Sequence, residues 1–378
     1  MIKKIVLIVL IFSVHLLTAQ ESFIIKNVRV FDGEKVIENT SVLIENGKIS
    51  KVAATIKGNY TSIDGTDKTL IPALTNAHVH AFSPQSLQEA AKAGVLNLLD
   101  MHGVEMAQPM MKAYKDSTNY ANYFAAGAAA TAPDGHGTQY GFPTPTLSKP
   151  EEAKQFINDR VEANVDYIKI IVEPWKKTLS HEVVKALIDE AHKQNKVVVV
   201  HISNVNDAYQ VLNNNANGLV HIWWNELMPE DKLQQLAKEK SFFVIPTLLT
   251  TNKVFGIMKK NNPDAEILEK EQLLAEVKRL HDAGIPILAG TDPPNAQINY
   301  GTDLYEELKL ITEAGISNLD ALKGATSKTA FAFGLKNIGM IKEGYNADLI
   351  LINGNPIENI DDLNKVETVW KLGKKVKR

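Results

Sequence analysis

The chain has 378 residues, 44% of them hydrophobic and 22% charged, with a formal net charge of −3 from 41 basic and 44 acidic side chains. This is globular composition with length for a large core, and its near balance of charge argues against a nucleic-acid or anionic-membrane partner. The absence of cysteine excludes disulfides, thiolate nucleophiles and sulfur ligands, so any metal must be held by nitrogen and oxygen.

The first stretch, MIKKIVLIVLIFSVHLLTAQ, sets Lys3 and Lys4 before an apolar run from Ile5 to Leu17 and closes on Thr18-Ala19. This layout predicts a secretory signal peptide over residues 1–20, cut after Ala19 or Gln20, with a run too short to span a bilayer comfortably. His15 would leave with it. The expected mature protein is periplasmic or secreted, without stable membrane insertion. Residues 21–70 alternate apolar and polar positions, with turns at Asp32-Gly33 and Asn46-Gly47, the pattern of short strands. Residues 335–378 have the same character, in ADLILINGNP and in VETVWKLGKKV around Gly373. The two ends are expected to pair into one small β-layer.

Residues 71–334 change pattern to strands alternating with helices. ALTNAHVH, GVLNLLDM, YFAAGAAATA, VDYIKIIV, KVVVVHI, GLVHI, FFVIPTL and IPILAGTD read as eight strands. The fifth is an almost continuous apolar run, as a parallel strand covered on both faces requires. A helix begins at Ser180, its N-cap, with Val183, Val184, Leu187, Ile188 and Ala191 on one face. Another ends at Gly284, with Pro286 just beyond. Repeated β-α units of this length predict an α/β fold, a (β/α)₈ barrel.

Active-site groups of such barrels sit at the C-terminal strand ends. Strand 1 ends in His78 and His80, which a strand directs to one face. Strand 4 carries Lys169, strand 5 ends in His201, strand 6 in His221 and strand 8 in Asp292. Strands 2, 3 and 7 offer nothing of equal force. Neutral imidazoles and a carboxylate suit zinc or a similar divalent ion, and a pair of such ions needs a bridging group. A buried lysine beside cations loses its proton, and the free amine can capture carbon dioxide as a carbamate with two bridging oxygens. The plainer reading of Lys169 is a structural pair with Glu173 or Asp166.

LIPALTNAHVH resembles the strand-1 metal motif of the amidohydrolase superfamily, LAGTD its strand-8 aspartate motif, and MIKEGYNADLILINGNP the return into its β-sandwich domain. The resemblance covers almost all of the expected mature chain, and DYIKI looks most like the prolidase-type and imidazolonepropionase-related dipeptidases. It implies a (β/α)₈ barrel over 71–334 with a small β-sandwich built from 21–70 and 335–378. It also implies that His78, His80 and Asp292 hold one metal, that His201 and His221 hold a second, and that a carboxylated Lys169 bridges them. Asn76 stands where the family usually has aspartate, and Ala73 where it usually has glycine. Asn76 keeps the capacity to hydrogen-bond behind the ligands.

The implied activity is a binuclear, metal-dependent hydrolase. It would cleave an amide bond of a dipeptide, N-acyl amino acid or cyclic amide, with a hydroxide bridging two zinc-like ions as nucleophile and Asp292 passing its proton to the leaving nitrogen. A one-metal, deaminase-like enzyme with a free Lys169 amine is the alternative, and a non-catalytic binding barrel a third reading. His136, in the glycine-flanked loop DGHGTQYG after strand 3, is either a turn residue or a donor to substrate, reading the carboxylate of a leaving group. His181, His192 and His281 are expected away from the site. Trp223 and Trp224 are expected either to line the pocket or to pack their loop. The expected partner is a small-molecule substrate, and the sequence leaves oligomerisation open.

Overall fold

The computed structural model describes residues 22–378; the predicted signal peptide and His15 lie outside the described residues. Seven parallel strands carry the centre of the molecule: Leu74–Val79 (β1), Val95–Asp100 (β2), Asn122–Ala125 (β3), Ile168–Ile171 (β4), Val198–His201 (β5), Gly218–Val220 (β6) and Phe243–Ile245 (β7). They form a β1-β2-β3 sheet and a β4-β5-β6-β7 sheet, parallel throughout. Their side chains are almost all buried, because helices cover one side and the opposing strands the other.

Single bridges connect the two sheets. Ala130 pairs with Ile170 of β4, and Ile287 pairs with Val244 of β7. Ala77 then donates to Ala289 O (2.9 Å), and Asp292 to His78 O (2.8 Å). The 286–292 segment thus lies between β7 and β1, bonded to both. It occupies the place of the expected eighth strand but does not build a regular ladder. Gly290 lies so close to its neighbours that a Cβ there would meet Ile245 Cγ2 at 2.6 Å and the His78 nitrogen at 2.9 Å, and Asp292 turns left-handed (φ 60°). The third strand is also shorter than its sequence pattern suggests, since Gly127 (φ 71°) breaks it.

Helices follow the strands as the 3.6-residue periodicity predicts. His181–Lys193 is capped by the Ser180 hydroxyl, which accepts from the Val183 N–H, and it buries Val183, Val184, Leu187, Ile188 and Ala191. The chain ends meet in one eight-stranded sheet. In it, Phe23–Phe31 pairs with Val36–Glu45 and with Thr69–Pro72, which pairs in turn with Leu349–Ile352, itself paired with Val366–Lys371. This sheet has its own core around Ile25, Val30, Leu349 and Trp370. The buried Lys371 donates to Ser117 O (3.2 Å) and Tyr120 O (2.6 Å) in the connection after β2. Among the described residues no helix is long and apolar enough to cross a membrane.

Candidate active site

The strand ends open into a cavity of about 500 Å³ lined by His78, His80, Lys169, His201, His221 and Asp292 together with His136. The six residues expected to hold metal and His136 therefore share one cavity. His78 Nε2 lies 3.3 Å and His80 Nε2 3.1 Å from Asp292 Oδ1, and the two imidazole nitrogens are 3.4 Å apart. Donor atoms of His78, His221 and Asp292 fall within 4.8 Å of one another. The His201 and His221 rings are 4.5 Å apart, and the His136 ring is 5.0 Å from His201.

Neighbouring groups orient these imidazoles. His80 Nδ1 faces the His102 carbonyl at 3.0 Å. A carbonyl only accepts, so Nδ1 carries a proton, and Nε2 is the atom turned to Asp292. His201 Nε2 donates to Glu173 Oε2 at 2.9 Å, which leaves Nδ1 free. His221 Nδ1 meets the Thr247 hydroxyl at 2.7 Å. Asn76, the departure from the family motif, accepts from the backbone N–H of His78 (3.2 Å) and of Thr291 (3.1 Å), and donates to Thr291 Oγ1 (2.7 Å). It thereby locks the first histidine to the aspartate segment. His221, Thr247 and Asp292, each just past a strand end, adopt left-handed backbone (φ 71°, 47° and 60°). Such conformations cost a non-glycine residue about 1–3 kcal/mol and cluster at functional sites.

Burial, then the Lys169 charge, holds His78 and His201 well below the usual histidine range; burial, then His201, does the same for His221. Lys169 is brought down to about 7 by burial, with Asp292 opposing. Burial alone would raise Asp292, but the His80 hydrogen bond and charge keep its carboxyl below the ordinary range. Several lone pairs and one ionised carboxylate thus converge in one pocket, and His78 Nδ1 is buried without a partner. This donor set fits divalent ions of the zinc type.

The family follows from a wider match. The sequence profile of the amidohydrolase family covers residues 69–376. This chain belongs to the amidohydrolase family. The amidohydrolase is 24% identical over 332 residues to an ochratoxinase of Aspergillus niger, an alignment covering 76% of this chain and 66% of that one, so the chain spans just under two thirds of that relative. It is 25% identical over 384 aligned positions to a 5-methylthioadenosine/S-adenosylhomocysteine deaminase of Carboxydothermus hydrogenoformans, covering 88% and 85%. Its fold matches that of a Xaa-Pro dipeptidase crystallised with methionine in its active site, with a TM-score of 0.80, 21% identity, and 95% and 100% of the two chains covered.

The sequence reading passed over other parts of the amidohydrolase site, one of them at the end of strand 2. Asp100, at the end of β2, is fully buried. It accepts from the Ala81 N–H (2.7 Å) and the His102 N–H (3.1 Å). Glu173 does not pair with Lys169, nor does Asp166. The first takes His201 and the Ser203 hydroxyl (2.5 Å), and the second pairs with Lys112 (2.9 Å). His102 lines the cavity, yet both its nitrogens serve backbone: Nδ1 accepts from Ala129 N–H (2.9 Å), so Nε2 donates to Gly137 O (3.1 Å). Trp223 is buried and donates to Glu276 (3.0 Å), whereas Trp224 lines the cavity. His181, His192 and His281 lie outside its lining.

Proposed function

We propose that this amidohydrolase is a two-metal hydrolase of amide carbon–nitrogen bonds, working at the mouth of a closed (β/α)₈ barrel flanked by a β-sandwich, and exported through the signal peptide read in residues 1–20. One observation carries the reading. Lys169, an amine brought down to about 7 by burial, stands in one cavity with His78, His80, His201, His221 and Asp292. A charged ammonium there would repel any cation; a neutral amine can take up carbon dioxide as a carbamate. His78, His80 and Asp292 would hold one ion, His201 and His221 the other, and carboxylated Lys169 would join them. When bound, such ions polarise a carbonyl and bring the pKa of water towards neutrality.

The chain's own groups supply the rest. Asp292, held ionised by His80, is placed to accept a proton at a carboxylate oxygen and return it to the leaving nitrogen. Asn295 Nδ2 donates to its Oδ1 at 2.9 Å and steadies it. His136 is lowered by burial below the usual range, so it acts as a neutral hydrogen-bond donor to substrate. The Gly137 N–H fixes the Gln139 amide by donating to Oε1 (2.8 Å), and the Gln139 nitrogen then donates to His136 Nδ1 (3.1 Å). The proton of the neutral ring therefore sits on Nε2.

A single-ion, deaminase-like reading has its own support in the tight His78, His221 and Asp292 group. Metal counting separates the two. After reconstitution with zinc and bicarbonate, the wild type should hold two ions per chain. Lys169→Ala should lose most metal and activity, and short carboxylic acids should partly restore both. One ion per chain in both proteins would favour the deaminase-like reading; two in the variant would refute the carbamate bridge.

A further inference from the structure

Beyond the histidines the cavity has a second wall, and it is apolar. Trp224, Thr251, Val254, Phe255 and Met258 line it. The last four share the Leu248–Asn261 helix, at the i, i+3, i+4, i+7 spacing that presents one helical face. The Trp224 and Phe255 rings meet edge-on, 5.9 Å between centroids. Thr250, beside them, turns its hydroxyl to Thr291 O at 2.5 Å.

The wall itself carries no charged side chain. Among the described residues lining the cavity, Lys169 is the only lysine, and there is no arginine. Both carboxylates are engaged, Asp292 by His80 and Asn295, Glu173 by His201 and Ser203. A charged group laid against the apolar wall would lose its hydration and find no counter-ion. An aromatic ring would find hydrophobic contact and an edge-to-face partner. The wall and the histidine cluster belong to one cavity, so a molecule whose amide reaches the cluster lays one of its substituents on the wall.

We infer that this substituent is uncharged and of aromatic size, laid on the surface that Trp224, Phe255 and Met258 form together. The preferred substrates are then amides blocked at that end by an apolar acyl or aryl group, in preference to free dipeptides, whose charged terminus would face the wall. The inference rests on the hydrolase reading for the word substrate, but the wall itself is tested by binding alone.

Two ketones without a carbon–nitrogen bond serve as probes: 6-methyl-2-acetylnaphthalene and 6-acetyl-2-naphthoate, which share a ring and differ in charge at its far edge. Titrated into the metal-loaded full chain and followed by naphthalene fluorescence, the methyl compound should bind at least ~10-fold more tightly, since burying an unpaired charge is so unfavourable. Phe255→Ala should weaken the methyl compound by roughly 10-fold. Val254 is partly exposed, so Val254→Lys can put an ammonium on the wall without opening a gap, and it should shift the ratio towards the carboxylate. Equal binding of the two ketones to the wild type, or an unchanged ratio in Val254→Lys, would overturn the inference. The two readings fail separately. A chain that binds the ketones as expected yet hydrolyses no amide keeps the wall and loses the hydrolase. A chain that hydrolyses free dipeptides faster than blocked aromatic amides keeps the hydrolase and loses the inference.

Discussion

Asp100 sets the position of His80 without touching its ring. One carboxylate oxygen holds the backbone N–H of Ala81, the residue after His80; the other holds the N–H of His102, whose carbonyl takes the His80 proton. An amide has one accepting oxygen, so Asp100→Asn must turn a donor towards one of these N–H groups. Metal affinity should fall by about 10–100-fold, the usual scale for a group that orients a ligand, while the fold survives; chelator competition reads it, and an unchanged affinity would restrict Asp100 to a structural role. Asp292→Asn should leave the chain folded but slow amide turnover by at least ~10²-fold, because asparagine keeps an oxygen and cannot carry the proton. Steady-state kinetics near the wild-type kcat would remove Asp292 from proton transfer. The histidines and Asp292 were legible in the sequence because each ends an apolar run. Asp100 ends one too, in LLDM, but its role depends on the loops that fold back over it. The left-handed turns at His221, Thr247 and Asp292 follow from closure around the site, and residue type gives no sign of them.

The Leu248–Asn261 helix shows how an element is bound to the site it borders. Thr247 stands at its N-cap but makes no cap bond, since its hydroxyl meets His221 Nδ1. The orphan N–H groups of Leu248 and Leu249 go instead to the two carboxylate oxygens of Glu307 (2.9 and 2.7 Å), on the Asp303–Glu313 helix. Glu307 is fully buried, and burial pushes it up to about 8 against the lowering effect of those two bonds. An exposed glutamate in the unfolded chain loses its proton near 4.5, so between about 4.5 and 8 the folded chain binds more protons than the unfolded one. Stability from this group is therefore complete below 4.5 and is lost as pH rises through about 8. Glu307→Gln should flatten the fall in Tm between pH 5 and 8 relative to wild type; parallel curves would show that Glu307 does not titrate in that window. The sequence gives little warning of this helix. Thr250, Thr251, Val254 and Gly256 are weak helix formers, and its cap comes from a residue far along the chain. The Ser180 helix, whose cap and apolar face are local, was readable in full.

At the scale of the molecule, the two ends of the chain build one sheet, and that pairing was foreseeable because both ends alternate in the short-strand pattern. The uneven joins between the parallel strands were not, since Gly127, Gly290 and the left-handed Asp292 act through close approach and backbone geometry. The end sheet also supports the site-bearing part. Trp370 fills its core, and Lys371 reaches into the connection after β2. Deleting residues 366–378 removes both, together with the partner of Leu349–Ile352. Loss of a buried tryptophan alone should lower Tm by roughly 4–7 °C. A calorimetric scan reads the change, and an unaltered Tm would mark the sheet as an independent appendage.

The order of that sheet has a consequence for biosynthesis. Thr69–Pro72 immediately precedes the strand that bears His78, and its neighbour is Leu349–Ile352. At 5–20 residues per second, a ribosome needs roughly 15–55 s to make the intervening chain. Throughout that interval Leu70 and Ile71 present an apolar, unpaired edge, the kind that invites wrong pairing. A nascent chain therefore keeps one side of this strand open until the late strands arrive.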